Sequence, residues 1–308
     1  MTSQKIFSKL SQHISVGRLP TINSKRYIGK VEPIEIVMIS FPLKSPSPSK
    51  VLGSLPDLAE EIVLSRLEDL AKAIEKHYSP GAIIKIPGSA EILEQSYKLA
   101  FDYQRELRRM CLELEYSHVQ FIESLEIIGG KEGPLTETEY LDSVTEVLNY
   151  INSSQKLPTL ESIDKQIATD SYFLSKYRGI LRFLETDLSG TSMMTKGPSG
   201  NLPSKRKQDQ MRRCIAKKMI IESIKFSEIV TQKYPDVIRF RVHPNDNAGP
   251  KYTFNMFETL SLRAPWHNTV RKDLQGQFTV GPLHSFASQP HEVVYSYGRP
   301  YYIRAVWG

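Results

Sequence analysis

Several things are scarce in this sequence. Two cysteines, Cys111 and Cys214, occur in 308 residues. That is too few for a disulfide framework and points to a reducing, cytoplasmic compartment. No apolar run approaches the roughly 20 residues that cross a bilayer. The opening MTSQKIFSKLSQHISVGR also lacks the apolar stretch of a secretory signal, so no membrane association is expected. The glycine pattern of a P-loop, the dinucleotide fingerprint and the nucleophile elbow are all missing. No H-x-D or H-x-E occurs, which argues against the facial triad of an iron oxygenase, and no metal site is expected.

What is present suits a globular core: 40% hydrophobic and 24% charged residues, with a formal net charge of +6. Eight basic residues and one acidic residue lie between Lys196 and Lys218, a surplus of seven that exceeds the whole net charge. Nucleic acid is the reflex partner for such a patch. It has no interleaved aromatics and no flanking motif, so no nucleic-acid partner is expected. The patch reads as a solvated helix start, with anionic-metabolite binding as the functional option.

The first part alternates strand and helix. IEIVMISF (34–41) is a buried strand, Leu58 to His77 a helix and GAIIKI (81–86) a second strand, a βαβ-like start. Tyr97 to Ile127 reads as one long or broken helix ended by Gly129-Gly130. Val144 to Ile151, Ser171 to Leu188 and Gln208 to Lys233 are further helices. The Gly, Ser, Thr and Pro content around 189–207 predicts a mobile loop. Strand patterns then dominate, with hairpin turns at Gln275-Gly276 and Tyr297-Gly298. The expected fold is an α/β, Rossmann-like sheet with helices packed on it and an antiparallel C-terminal portion. Residues 1–32 read as an N-terminal extension and 33–308 as one domain.

Between the first strand and the first helix lies FPLKSPSPSKVLGSLPDLAEE, with four prolines and two lysines. Asp57 and Glu60 have capping-box spacing, so they are either caps or acid/base groups. Lys44, Ser45 and Lys50, gathered at a strand's carboxyl end before a helix N-terminus, form a candidate phosphate or carboxylate cradle. Arg178 and Arg182 in YRGILRF share a helix face, either as anion clamps or as surface arginines over the core. RVHPNDNAGPKY places His243 at a strand end and Lys251 beyond it, and RAPWHNTV places His267 at another. The two histidines are candidate proton shuttles or packing residues.

Five segments in this order, FPLKSPSPSKVLGSLPDLAEE, YRGILRFLETDL, RVHPNDNAGPKY, APWHNTV and GRPYYIR, are not generic. The chain resembles the isocyanide (isonitrile) synthases of the pyoverdine/dityrosine biosynthesis family from about Pro33 onward. That resemblance implies a Rossmann-like fold and conversion of the amino group of L-tyrosine or L-tryptophan to an isonitrile. The carbon would come from ribulose 5-phosphate as co-substrate, with no cofactor. It also implies a downstream tailoring oxygenase in the pathway. A fungal relative makes N-formyltyrosine, so an N-formyl or other amine-derived product, or a non-catalytic ligand-binding role, stands as the alternative. In this frame Lys44, Ser45 and Lys50 would hold phosphate, Arg178, Arg182 or Lys251 an anion, and His243 and His267 would move protons with Asp57 or Glu60. One departure stands out. Where the family typically carries a Ser-Asp-Gly stretch after the second strand, IKIPGSAEIL (84–93) has no aspartate, which predicts altered amine specificity.

Overall fold

The computed structural model describes residues 14–15, 32–88, 97–153, 158–187, 204–235, 237–242, 251–257 and 263–307. Strand β2 (Ile34–Met38) opens the domain, with Ile36, Val37 and Met38 fully buried. A strand covered on both faces needs no alternation of polarity, and IEIVM shows little. Helix α1 (Leu58–Glu75) follows and buries Val63, Leu64, Leu67, Leu70 and Ile74 along one stripe. Strand β3 (Ala82–Pro87) then pairs parallel to β2, completing the expected βαβ unit.

The stretch 97–127 is not one helix. Helix α2 (Tyr97–Glu113) stops, strand β4 (Val119–Ile122) adds parallel to β3, and a short helix α3 (Ser124–Ile127) follows. The stop is a Schellman motif: Tyr116 N–H donates to Cys111 O at 2.8 Å and Glu115 N–H to Leu112 O at 3.2 Å. Glu115 takes the left-handed conformation there, φ 55°, where glycine is the usual occupant. Helices α4 (Glu137–Ser153), α5 (Leu160–Thr169), α6 (Ser171–Asp187) and α7 (Lys205–Lys233) make a long crossover. The residues expected to form the mobile loop, 189–207, lie mostly outside the described residues.

The chain then returns to the first sheet. β5 (Ile238–Arg241) pairs parallel to β2 on its other side, and β6 (Lys251–Phe254) pairs parallel to β5. A two-residue strand β1 (Ile14–Ser15), from the segment set aside as an extension, pairs antiparallel with β6. The order is β1-β6-β5-β2-β3-β4, with a switch of direction between β2 and β5. Ligand crevices of open α/β sheets lie at such a switch, outside the carboxyl ends of the strands.

The second sheet, of β7 (Thr269–Lys272), β8 (Phe278–Gly281), β9 (His291–Ser296) and β10 (Arg299–Ala305), is mixed, in the order β8-β7-β10-β9. This corrects the antiparallel expectation. Both hairpins are antiparallel, but their inner strands β7 and β10 meet in parallel. The β9–β10 turn has Tyr297 at φ 54° and Gly298 at φ 71°, the paired positive angles of a tight hairpin. Ile36 and Met38 face a core that includes α1, α2, Val270 and Tyr301, so α1 lies between the two sheets. Val37 faces the opposite way, toward Val147 and Ile151 of α4 and Phe226 and Val230 of α7.

Candidate active site

The proline-rich loop after β2 is ordered and pinned. Phe41, buried and left-handed at φ 54°, turns the chain out of the strand, an unusual conformation for a bulky side chain. Its ring packs edge-on against Trp266 and Phe121, at 5.5 and 6.0 Å between centroids. Ser45 N–H donates to Trp266 O at 2.8 Å, and the carbonyls of Ser49 and Lys50 accept from His284 and Leu283 N–H at 2.7 and 2.9 Å. The loop thus spans from β2 to the segment that opens the second sheet.

Two charged clusters grow from adjacent residues of this loop. Lys44 turns inward. Its Nζ lies 2.6 Å from Glu60 Oε2 and 3.0 Å from Asp57 Oδ2, and donates to Pro265 O at 3.2 Å. Tyr103 donates its hydroxyl to Glu60 Oε1 at 3.0 Å. All four side chains are sealed from solvent. Asp57 and Glu60 also form a complete capping box at the start of α1, Asp57 accepting from Ala59 N–H and Glu60 from Asp57 N–H. The cap reading of both carboxylates is therefore realised, with Lys44 as their counterion. Burial pushes the Asp57 carboxyl up to about 7, against the pull of Lys44. Burial lowers the Lys44 ammonium, but Asp57 and Glu60 outweigh it and the net shift is upward. Lys44 does not face a cleft, and α1's first N–H groups are occupied by their own cap. The part of the cradle expectation that placed Lys44 on an open helix N-terminus is corrected accordingly: two buried carboxylates claim the lysine.

Ser45 and Lys50 turn the other way, toward Asp187, the last residue of α6. Ser45 Oγ donates to Asp187 Oδ1, and Lys50 Nζ to Asp187 Oδ2. Lys50 also donates to Thr186 Oγ1 at 3.0 Å. His267 Nδ1 stands 3.4 Å from Asp187 Oδ1, within ion-pair reach though not aligned as a hydrogen bond. The ring edge of Phe183 holds the imidazole at 5.4 Å between centroids. Asp187 is fully covered, whereas the side chains of Lys50 and His267 are 20% and 32% exposed. Burial raises the Asp187 carboxyl, but the His267, Lys50 and Ser45 groups around it prevail and bring it down to about 2. A buried carboxylate behind a partly open imidazole and ammonium is chemically able to support proton transfer.

Of the remaining candidates, Arg178 and Arg182 stand exposed on α6, two turns and one turn before Thr186. Among the described residues no hydrogen bond or ion pair joins either guanidinium to the cluster. His243 lies outside the described residues, as do 244–250. Lys251 begins β6 opposite Arg239, and its side chain is outside the description. The departure at 89–93 is also outside it. Among the described residues no group of three or more His, Cys, Asp or Glu is placed to hold a metal ion, and no helix is long and apolar enough to cross a membrane. The basic start of α7 is partly answered, Arg212 by Asp209 and Lys217 by Asp164 at 2.6 Å.

Sequence reasoning missed Asp187. It sits in the YRGILRFLETDL segment, but a lone aspartate at a helix end carries no spacing signal that joins it to Ser45, 142 residues away. The terminal GRPYYIR has a structural role here. Arg299 donates to Pro56 O at 2.7 Å and pairs with Glu106 at 2.9 Å, and Tyr301 donates to Glu61.

The whole fold resembles the crystal structure of the PvcA protein from Pseudomonas aeruginosa, with a TM-score of 0.83 at 24% identity over 99% of this chain and 100% of that one. The sequence is 28% identical to an L-tyrosine isonitrile synthase of Pseudomonas aeruginosa, covering 95% of this chain and 85% of that protein. It is 27% identical to the L-tyrosine isonitrile synthase of Xenorhabdus nematophila, covering 87% and 76%. It is 29% identical to the isocyanide synthase xanB of Aspergillus fumigatus, covering 93% of this chain but 38% of that longer protein. A second Aspergillus relative, the isocyanide synthase-NRPS hybrid crmA, is matched over 18% of its length. Residues 25–294 match the family model of the pyoverdine/dityrosine biosynthesis proteins. The chain belongs to that family.

Proposed function

We propose that the protein is an isonitrile synthase-like enzyme that condenses the amino group of an amino acid with ribulose 5-phosphate. Relatives of this chain are isonitrile synthases, for L-tyrosine in two bacteria and for L-tryptophan in Fischerella ambigua. The observation that carries the reading is the Ser45–Lys50–Asp187–His267 cluster, placed where the β2 loop, the end of α6 and the start of the second sheet converge.

The chemistry needs an amine to add to the C2 ketone of the sugar, loss of water to give an imine, and then eliminations that release phosphate and carbon fragments. Each step moves a proton. His267 would take or give it through the ring nitrogen turned away from Asp187, while Asp187 stabilises the imidazolium. Lys50, the cation of the loop that keeps contact with solvent, would receive the phosphate. These groups do not name the amine, and a phenol or indole side chain would need recognition from elsewhere in the crevice.

The test is direct. Purified protein, L-tyrosine or L-tryptophan and ribulose 5-phosphate are incubated, and the products analysed by mass spectrometry. An isonitrile that retains the amino-acid nitrogen and gains one carbon from labelled sugar supports the proposal. An N-formyl product would move the protein to the second reading; the chain is also 26% identical to the spore wall maturation protein DIT1 of Saccharomyces cerevisiae. Binding of either substrate without any product would reduce it to a ligand-binding protein.

A further inference from the structure

Asp187 has one cationic neighbour, Lys50, a second that can become cationic, His267, and one charge to share between them. Oδ2 takes Lys50 and Thr186, the latter at 3.1 Å, while Oδ1 takes Ser45 and lies 3.4 Å from His267 Nδ1. Lys50 thus pairs with one carboxylate oxygen while the His267 ring stands beside the other. Both neighbours are partly open to solvent and Asp187 is not. An incoming anion can therefore reach Lys50 without reaching Asp187.

We propose that Asp187 couples anion binding at Lys50 to protonation of His267, so that a phosphate-bearing substrate loads the proton its own reaction uses. When a dianion engages the Lys50 ammonium, Asp187 loses its counterion. The nearest group able to restore one is the His267 ring, which takes up a proton from solvent and becomes imidazolium. One dianion enters and one proton follows onto the ring, so the site gains one net negative charge, and no covalent bond of the protein or the anion is broken. The groups around the ring permit this. Asp187 approaches from α6 and Lys50 from the β2 loop. Phe183 and Trp266 meet the ring in T-shaped contacts and bring no charge. Lys44 touches the carbonyl of Pro265 nearby, but its charge is answered by Asp57 and Glu60. An opposite charge within about 4–6 Å favours the charged form of an imidazole. In the anion-free site the His267, Lys50 and Ser45 groups hold the Asp187 carboxyl below its ordinary range.

The inference rests on the site assigned above but not on its reaction, so the two can fail separately. Inorganic sulfate, whose charge does not change near neutral pH, is titrated into the purified protein by calorimetry in two buffers of different ionisation enthalpy. The expected result is uptake of about half a proton per sulfate near pH 7. Asp187→Asn should bind sulfate at least as tightly, because the competitor for Lys50 is gone, and take up no proton. His267→Gln should bind sulfate without uptake, and it stands in should Asp187→Asn fail to fold. Lys50→Met should bind about tenfold or more weakly. Binding by the parent without proton uptake, uptake that survives in His267→Gln, or affinity unchanged in Lys50→Met would each overturn the coupling. Proton uptake in a protein that makes no isonitrile would instead retain the coupling and remove the proposed reaction.

Discussion

Lys44 and Ser45 are neighbours in sequence, yet they belong to opposite kinds of polar cluster. The Lys44 group is sealed: one lysine, two carboxylates and a tyrosine, all buried and all spent on each other and on the cap of α1. The Ser45 group has one buried carboxylate, but its lysine and histidine reach solvent. Charge type is nearly the same in both. Access decides what each can do: the first fixes the loop against α1 and Pro265, and the second can exchange a partner or a proton. A buried ion pair is costly to break and contributes little to chemistry, whereas a half-open one keeps ligands available to a substrate.

Single substitutions should separate the two clusters. His267→Gln is expected to have the largest effect on activity, a fall in turnover of about 10²–10⁴-fold. Stability should change by less than about 1 kcal/mol, since the ring is partly exposed. Steady-state assays alongside urea denaturation check both halves. A variant that unfolds without a specific loss of turnover would assign the ring to packing. Lys44→Met should do the reverse. Two carboxylates lose their buried cation, which costs about 3–5 kcal/mol of folding stability. Denaturation midpoints report it, and a loss under about 1 kcal/mol would mean that the cluster admits water.

How much of this was legible beforehand follows from the range of the signals. The βαβ start, the capping box at Asp57 and Glu60, and both hairpin turns are local patterns, and the structure has them. The Schellman stop at Glu115 was hidden because a glutamate fills the place where glycine would have announced it. β5 and β6 read correctly as strands but not as members of the first sheet, since the pairing of β5 with β2 across about 200 residues leaves no local trace. The loop's lysines were visible as a pair, yet only burial shows that one faces inward and one outward. Asp187 was invisible as a partner for the same reason. Its three long-range partners, Ser45, Lys50 and His267, come from the β2 loop and the segment before β7, and the tertiary fold alone brings them together.

Asp57→Asn tests the sealed cluster most gently. Asparagine caps a helix about as well as aspartate, so at pH 5 the cost should stay within about 1 kcal/mol. The informative quantity is the trend with pH. In the folded protein burial holds the Asp57 carboxyl up to about 7, above its ordinary 3.8. The native state therefore keeps a proton that the unfolded chain has already released. A group raised in this way contributes stability that is present at acid pH and is lost as pH rises through about 7. Asparagine cannot titrate, so the variant should gain on the parent between pH 5 and pH 8, and its stability should vary less with pH over that window. Equilibrium urea unfolding at a series of pH values measures the difference. If the variant instead keeps a constant distance from the parent across that window, the Lys44 charge outweighs burial and Asp57 is ionised in the folded state. The sealed cluster would then hold a full double ion pair, and its contrast with the open one would rest on access alone.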